Sequence, residues 1–145
     1  MVLAFFGIRK TQRELARLAK TDKESGRAHG AETGTSILNI VATLRAFGLK
    51  VEADNHRTLT DIKRALRQNK VPIVCFTERK LDWGHYAIVI GLRGTYIELL
   101  DPAEPRGDGG PMTITEFKHR WNDPLHTKTI QWAAFVGPSK TRKAR

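Results

Sequence analysis

At 145 residues, with 40% hydrophobic and 28% charged residues, the chain is long enough to bury one sizeable core and has the balance of a globular protein. No apolar run approaches the ~20 residues of a membrane-spanning helix, and one cysteine with no zinc-ligand spacing excludes a disulfide scaffold and a structural zinc site. The net charge of +10 leaves nucleic acid, anionic lipid and acidic proteins open as partners.

The opening MVLAFFG is apolar but short, and no basic segment precedes it, so it is a poor secretory signal and the chain as written is expected to be soluble and cytoplasmic. Gly7 is placed to end a helix whose start is missing, because no Ser, Thr, Asp or Asn precedes it as a cap. Either this is a short helical end packed by tertiary contacts or the chain begins in mid-helix, and the second is the reading adopted. Thr11 and Glu14 then form a capping box for a helix that sets Leu15, Leu18 and Ala19 on one face. Residues 21–34 are polar and glycine-containing, a loop.

Thr35 or Ser36 caps the strongest helix, in which Ile37, Ile40, Val41 and Leu44 recur at helical spacing until Gly48. A short strand follows over 49–53. Another helix, from Thr58 or Thr60 to Gln68, carries Ile62, Ala65 and Leu66 inward. After residue 70 the pattern turns to strands: VPIVCF, HYAIVIG and TYIELL, the last two joined by a tight turn at Arg93–Gly94. A loop spans 102–111, Thr115 caps a short helix through Phe117 and Trp121, and TIQWAAFV closes the sheet. Helices first and antiparallel strands after predict an α+β fold. Residues 1–137 form one domain and 138–145 a basic disordered tail. Lys140, Arg142, Lys143 and Arg145 have no acid among them, and a solvated terminus is the reading adopted for them.

Chemistry concentrates on one hairpin. His85 opens its first strand and Asp101 closes its second, before Pro102. A turn near residue 93 sets the two opposite each other, or one step off, close enough for a carboxylate to hold an imidazole. Taken singly, a strand-edge histidine and an Asp-Pro turn are structural features; the paired register is what raises the functional reading. Gly84 leaves room for a substrate backbone, while Trp83 and Tyr86 flank the pair as cleft candidates. Cys75, inside VPIVCF, reads as a small buried hydrophobe without the helix N-terminus that activates a thiol. Asp82 with His85 does not make a metal site, and His29, His56, His119 and His126 read as surface.

The segments TGTSILNIVATLRAFGLKV, VPIVCF, GHYAIVIG and LLDP, in this order, resemble the bacteriocin-processing, double-glycine-leader cysteine peptidases and their stand-alone relatives. The resemblance runs from AFFGI to the strand around Trp132. It implies a papain-like fold, with N-terminal helices against an antiparallel sheet and a cleft between them. It makes His85 the general base and Asp101 the acid that orients it. Gly7 matches the glycine after the nucleophile helix, and Thr35–Ser36 the start of the second core helix. The family's Gln and nucleophilic Cys have no counterpart here and would fall upstream of Met1.

Three functions follow. The first is a cysteine peptidase acting on peptide or leader substrates, without cofactor, alone or attached to an exporter or other membrane-associated partner. As written it would be inactive, because the nucleophile is absent. The second is an inactive relative that binds peptides or partner proteins in the same cleft. The third, a basic nucleic-acid-binding domain, is disfavoured because no aromatic residues are interleaved with the basic ones.

Overall fold

In the computed structural model, which describes residues 1–20, 35–77, 84–101, 111–122 and 130–139, four helices begin at a hydroxyl side chain that accepts a backbone N–H. These are α2 (Gln12–Leu18), α3 (Ile37–Ala46), α4 (Leu59–Arg67) and α5 (Ile114–Trp121). In α2 the predicted box is complete: Thr11 Oγ1 accepts from Glu14 N–H at 3.2 Å while Thr11 N–H donates to Glu14 Oε2 at 2.8 Å. Ser36, not Thr35, caps α3. Thr58 and Asp61 form a second full box on α4. For α5 the cap is Thr113, whose Oγ1 accepts from Glu116 N–H at 3.1 Å, two residues before the Thr115 expected. The Thr-x-x-Glu spacing was present at 113–116 and identifies the right residue.

A short α1 (Val2–Phe5) has no side-chain cap. It ends in paired carbonyl bonds, Gly7 N–H to Ala4 O and Ile8 N–H to Leu3 O, with Gly7 at φ +73°. Gly48 closes α3 with the same pattern at φ +79°, where a side chain would be strained. Asn69 does so for α4 at φ 55°, a conformation that asparagine tolerates better than most residues.

The chain falls into two compact units. One comprises Met1–Val51 with Pro138–Arg145. It holds α1, α2 and α3 and buries Leu3, Val41, Leu44, Leu49 and Val51. Within it, α2 buries none of its side chains, and Leu18 is exposed. The face shared by Leu15, Leu18 and Ala19 is therefore not a core face in this unit.

The other unit, Glu52–Gly137, carries the sheet. The strands are β1 (Lys50–Asp54, entering this unit from Glu52), β2 (Val71–Thr77), β3 (Gly84–Arg93), β4 (Tyr96–Leu100), β5 (Pro111–Thr113) and β6 (Ala133–Gly137). Their order is β1-β6-β2-β3-β4-β5, and the β6–β2, β2–β3, β3–β4 and β4–β5 pairs are antiparallel. β5 was not predicted, its Pro111 lying at the end of the expected loop. β6 starts later than the sequence pattern suggests. Gln131 adopts φ 52°, which no strand continues, and residues 130–131 bond instead to His56, Arg57 and Trp121.

Side-chain alternation divides this sheet cleanly. Val74, Phe76, Ala87, Val89, Ile97, Leu99, Ala133 and Phe135 share one face and pack with Ile62 and Ala65 of α4 and Phe117 and Trp121 of α5. Phe117 lies 6.1 Å from Phe76 and 5.0 Å from Trp121, centroid to centroid. The Trp121 indole N–H donates to Trp132 O at 2.9 Å, so this large ring is buried without an unmet donor. On the other face, β2 presents Ile73 and Cys75, both buried.

Two stability measurements check this account. Phe117→Ala should cost about 3–5 kcal/mol in urea unfolding, because the surrounding core cannot collapse onto the gap. Thr58→Ala should cost about 1 kcal/mol at neutral pH. The bonds from Thr58 backbone and side chain hold the Asp61 carboxyl below its ordinary range. Its contribution is present above pH ~4 and fades as pH falls through the lowered value. Asp61→Asn should therefore flatten the acid limb of the stability–pH curve.

Candidate active site

β3 begins at Gly84, and its first residues pair with the end of β2: Gly84 with Thr77, His85 with Phe76, Tyr86 with Cys75. Residues directly opposite on an antiparallel pair point to the same face. His85 thus shares the face of Phe76, and Tyr86 that of Cys75. The rings confirm it. His85 lies edge-to-face with Phe76, centroids 5.6 Å apart and planes at 71°, whereas Tyr86 packs against Trp132 at 6.2 Å.

The β3–β4 hairpin brings in the acid. Its register pairs Ile88 with Leu100 and Val89 with Leu99, then slips by one at Ile90, so that Gly91 faces Glu98. This extra residue is a β-bulge, and the turn falls at Gly94–Thr95, with Gly94 at φ +56°. Continuing the register beyond Leu100 sets Asp101 opposite Ala87, two residues from His85 and not opposite it. An offset of two preserves the face, since side chains alternate with period two. His85 and Asp101 are therefore diagonal neighbours, and they meet: Nε2 lies 2.7 Å from Asp101 Oδ1. Their side chains are 18% and 11% exposed, so the bond is largely shielded from water while the ring keeps an open edge.

The bonded nitrogen decides what the pair can do. An ionised carboxylate only accepts, so the proton between them belongs to Nε2, and in the neutral ring Nδ1 carries the lone pair. Among the described residues Nδ1 meets no hydrogen-bond partner. An imidazole with one nitrogen held by a carboxylate and the other open is the arrangement of a general base.

The other predicted residues are distributed as follows. Gly84 adjoins the pair as the first residue of β3. Tyr86 is not brought to it, because its side chain lies on the opposite face. There burial first, and Cys75 second, push its phenol well above the usual range. Cys75 is 4% exposed and lies on that same opposite face, with the sheet between its sulfur and the His85 ring. Trp83 and Asp82, with His29 and His126, lie outside the described residues. His56 and His119 are exposed, as expected. Among the described residues no group of His, Cys, Asp and Glu could hold a metal ion, and no helix is long and apolar enough to cross a membrane. Phe76 is the neighbour that sequence reasoning missed. The β2–β3 register that sets it under His85 depends on residues 78–83, which carry no short turn signature.

The model of the Peptidase C39 family matches residues 1–127. No curated protein matches. Among solved structures, the chain is similar to the peptidase domain of Streptococcus ComA, a bifunctional ABC transporter involved in a quorum-sensing pathway. The TM-score is 0.65 at 20% identity, covering 94% of this chain and 85% of that one. It is also similar to the peptidase domain of Streptococcus mutans ComA, with a TM-score of 0.58 at 21% identity, covering 87% and 86%. These likenesses establish the fold as papain-like, as expected from sequence.

The proton assignment is open to direct measurement. In long-range nitrogen–proton spectra, neutral His85 should populate almost only the Nε2–H tautomer. In Asp101→Ala the two tautomers should become comparable. An Nδ1–H ring in the unsubstituted protein would contradict the geometry.

Proposed function

The chain belongs to the peptidase C39 family, and from that premise we propose that His85 is the general base of a cysteine peptidase and Asp101 the residue that orients it. The observation that carries the reading is the 2.7 Å Nε2···Oδ1 bond, with Nδ1 left open. In the proposed reaction, Nδ1 takes the proton from a cysteine thiol as sulfur attacks a peptide carbonyl. Asp101 steadies the resulting imidazolium through Nε2–H. The proton then passes from Nδ1 to the leaving amine, and water hydrolyses the acyl-enzyme with the same ring as base.

The thiol is not supplied by Cys75. It is buried, it projects from the face opposite His85, and it sits on a strand rather than at the helix N-terminus that would lower its pKa. The proposal is thus that the nucleophile, and the Gln expected to stabilise the oxyanion, are not among residues 1–145, and that this polypeptide alone does not hydrolyse peptides. The substrate class proposed is a peptide cut after paired glycines, presented in extended form beside Gly84, which has no side chain of its own. The similar domains belong to an ABC transporter, which supports an exporter as the partner that delivers such a peptide.

The test compares two proteins on a double-glycine peptide. The 145-residue chain should show no turnover above background. Protein isolated from its source, if its mapped peptides include a cysteine ahead of Met1, should cleave, and His85→Ala should lower its rate about 10²–10⁴-fold. Cys75→Ala should leave that rate unchanged. Turnover by residues 1–145 that disappears in Cys75→Ala would refute the assignment. A source protein without such a thiol that holds the peptide uncut would make the domain a peptide-binding relative.

A further inference from the structure

The carboxylate alone does not immobilise the His85 ring. A single bond from Nε2 to Asp101 Oδ1 fixes one atom of the imidazole, and the histidine χ2 well is broad, so the ring can still rock about that anchor. Such rocking moves Nδ1, the atom whose direction matters.

Phe76 removes this freedom. It lies directly across the β2–β3 ladder from His85, the closest cross-strand position, and its ring meets the imidazole edge-to-face at 5.6 Å. It is itself immobile. β2 is flanked by β3 and β6, all seven of its residues are buried, and Phe76 is 3% exposed. Beneath it Phe117 packs at 6.1 Å and 69°, and beneath that Trp121 at 5.0 Å, its indole N–H tied to Trp132 O. A column of aromatic rings thus runs from α5 through the core to the open edge of the site, and His85 is its last member.

We infer that Phe76 is a positioning residue for His85: it sets the plane of the imidazole while Asp101 sets the protonated nitrogen, and the two constraints together aim Nδ1 outward. It touches no reacting atom. The Phe76 ring also covers one side of the imidazole and so keeps water from competing for the Nε2–H···Oδ1 bond. The inference rests on His85 as base, but its readout needs neither thiol nor substrate. Failure of a source protein carrying the upstream cysteine to cleave would therefore sink the peptidase reading and leave this one standing.

Nuclear magnetic resonance of the 145-residue chain tests it. In the unsubstituted protein, proton–proton Overhauser contacts should link the Phe76 and His85 rings; their absence overturns the inference whatever the variants do. In Phe76→Leu, which keeps an apolar side chain in the core, exchange of the Nε2–H proton with water should quicken roughly two- to tenfold, the population change expected from losing one aromatic pair. The neutral ring should also shift toward the Nδ1–H tautomer. Phe135→Leu removes another buried ring of the same cluster without touching His85, and should leave both quantities unchanged. Equal effects from the two variants, or none from Phe76→Leu, would show that Phe76 merely fills the core.

Discussion

The site depends on the period-two alternation of side chains across three antiparallel strands. β2 lies between β6 and β3, and β3 pairs onward with β4, so one register error anywhere would turn a whole strand over. Phe76 and Cys75 are neighbours in sequence, yet one lies under the imidazole and the other faces away from it. No rotamer change could exchange them. The packing of the Phe76 face against α4 and α5 locks the choice, because a slip of one residue in β2 would put Ile73, Cys75 and Thr77 where Val74 and Phe76 now fill the core.

Much of the fold was legible because local chemistry and global packing agree. Hydroxyl caps at Thr11, Ser36 and Thr58 and glycines at 7 and 48 mark helix ends by backbone hydrogen bonds that no tertiary context alters. The run VPIVCF is buried throughout, as a continuous apolar strand between two neighbours must be. What failed was decided by contacts distant in sequence. Gln131 bends the chain because Arg57 and Trp121 hold residues 130–131, and the three residues of β5 form a strand because β4 offers them an edge. α2 has an amphipathic pattern but buries none of its side chains.

The hairpin shows both sides of this. Its strands, its turn region and the pairing of His85 with Asp101 could be read from residue order. The register could not, because a bulge at Ile90 and a turn at Gly94–Thr95 add residues that alternation alone does not reveal. The pair survived the misreading only because the combined displacement is two residues. A displacement of one would have put His85 and Asp101 on opposite faces of the sheet, and the same two letters would have meant nothing.

That displacement also has a chemical consequence. Directly opposite residues bring Cβ atoms to ~5 Å, close enough for the near nitrogen of an imidazole, Nδ1, to reach a carboxylate. Diagonal neighbours stand ~7–8 Å apart at Cα, and the contact then falls to the far nitrogen. His85 and Asp101 are diagonal, and the nitrogen bonded is Nε2. The bulge therefore does more than interrupt regular pairing: the Gly94–Thr95 turn alone would set Asp101 opposite Ile88, on the other face from His85, and the one extra residue brings it opposite Ala87, where Nε2 meets the carboxylate and the lone pair stays on Nδ1. Which nitrogen meets the carboxylate is set by backbone register, several residues from the ring itself.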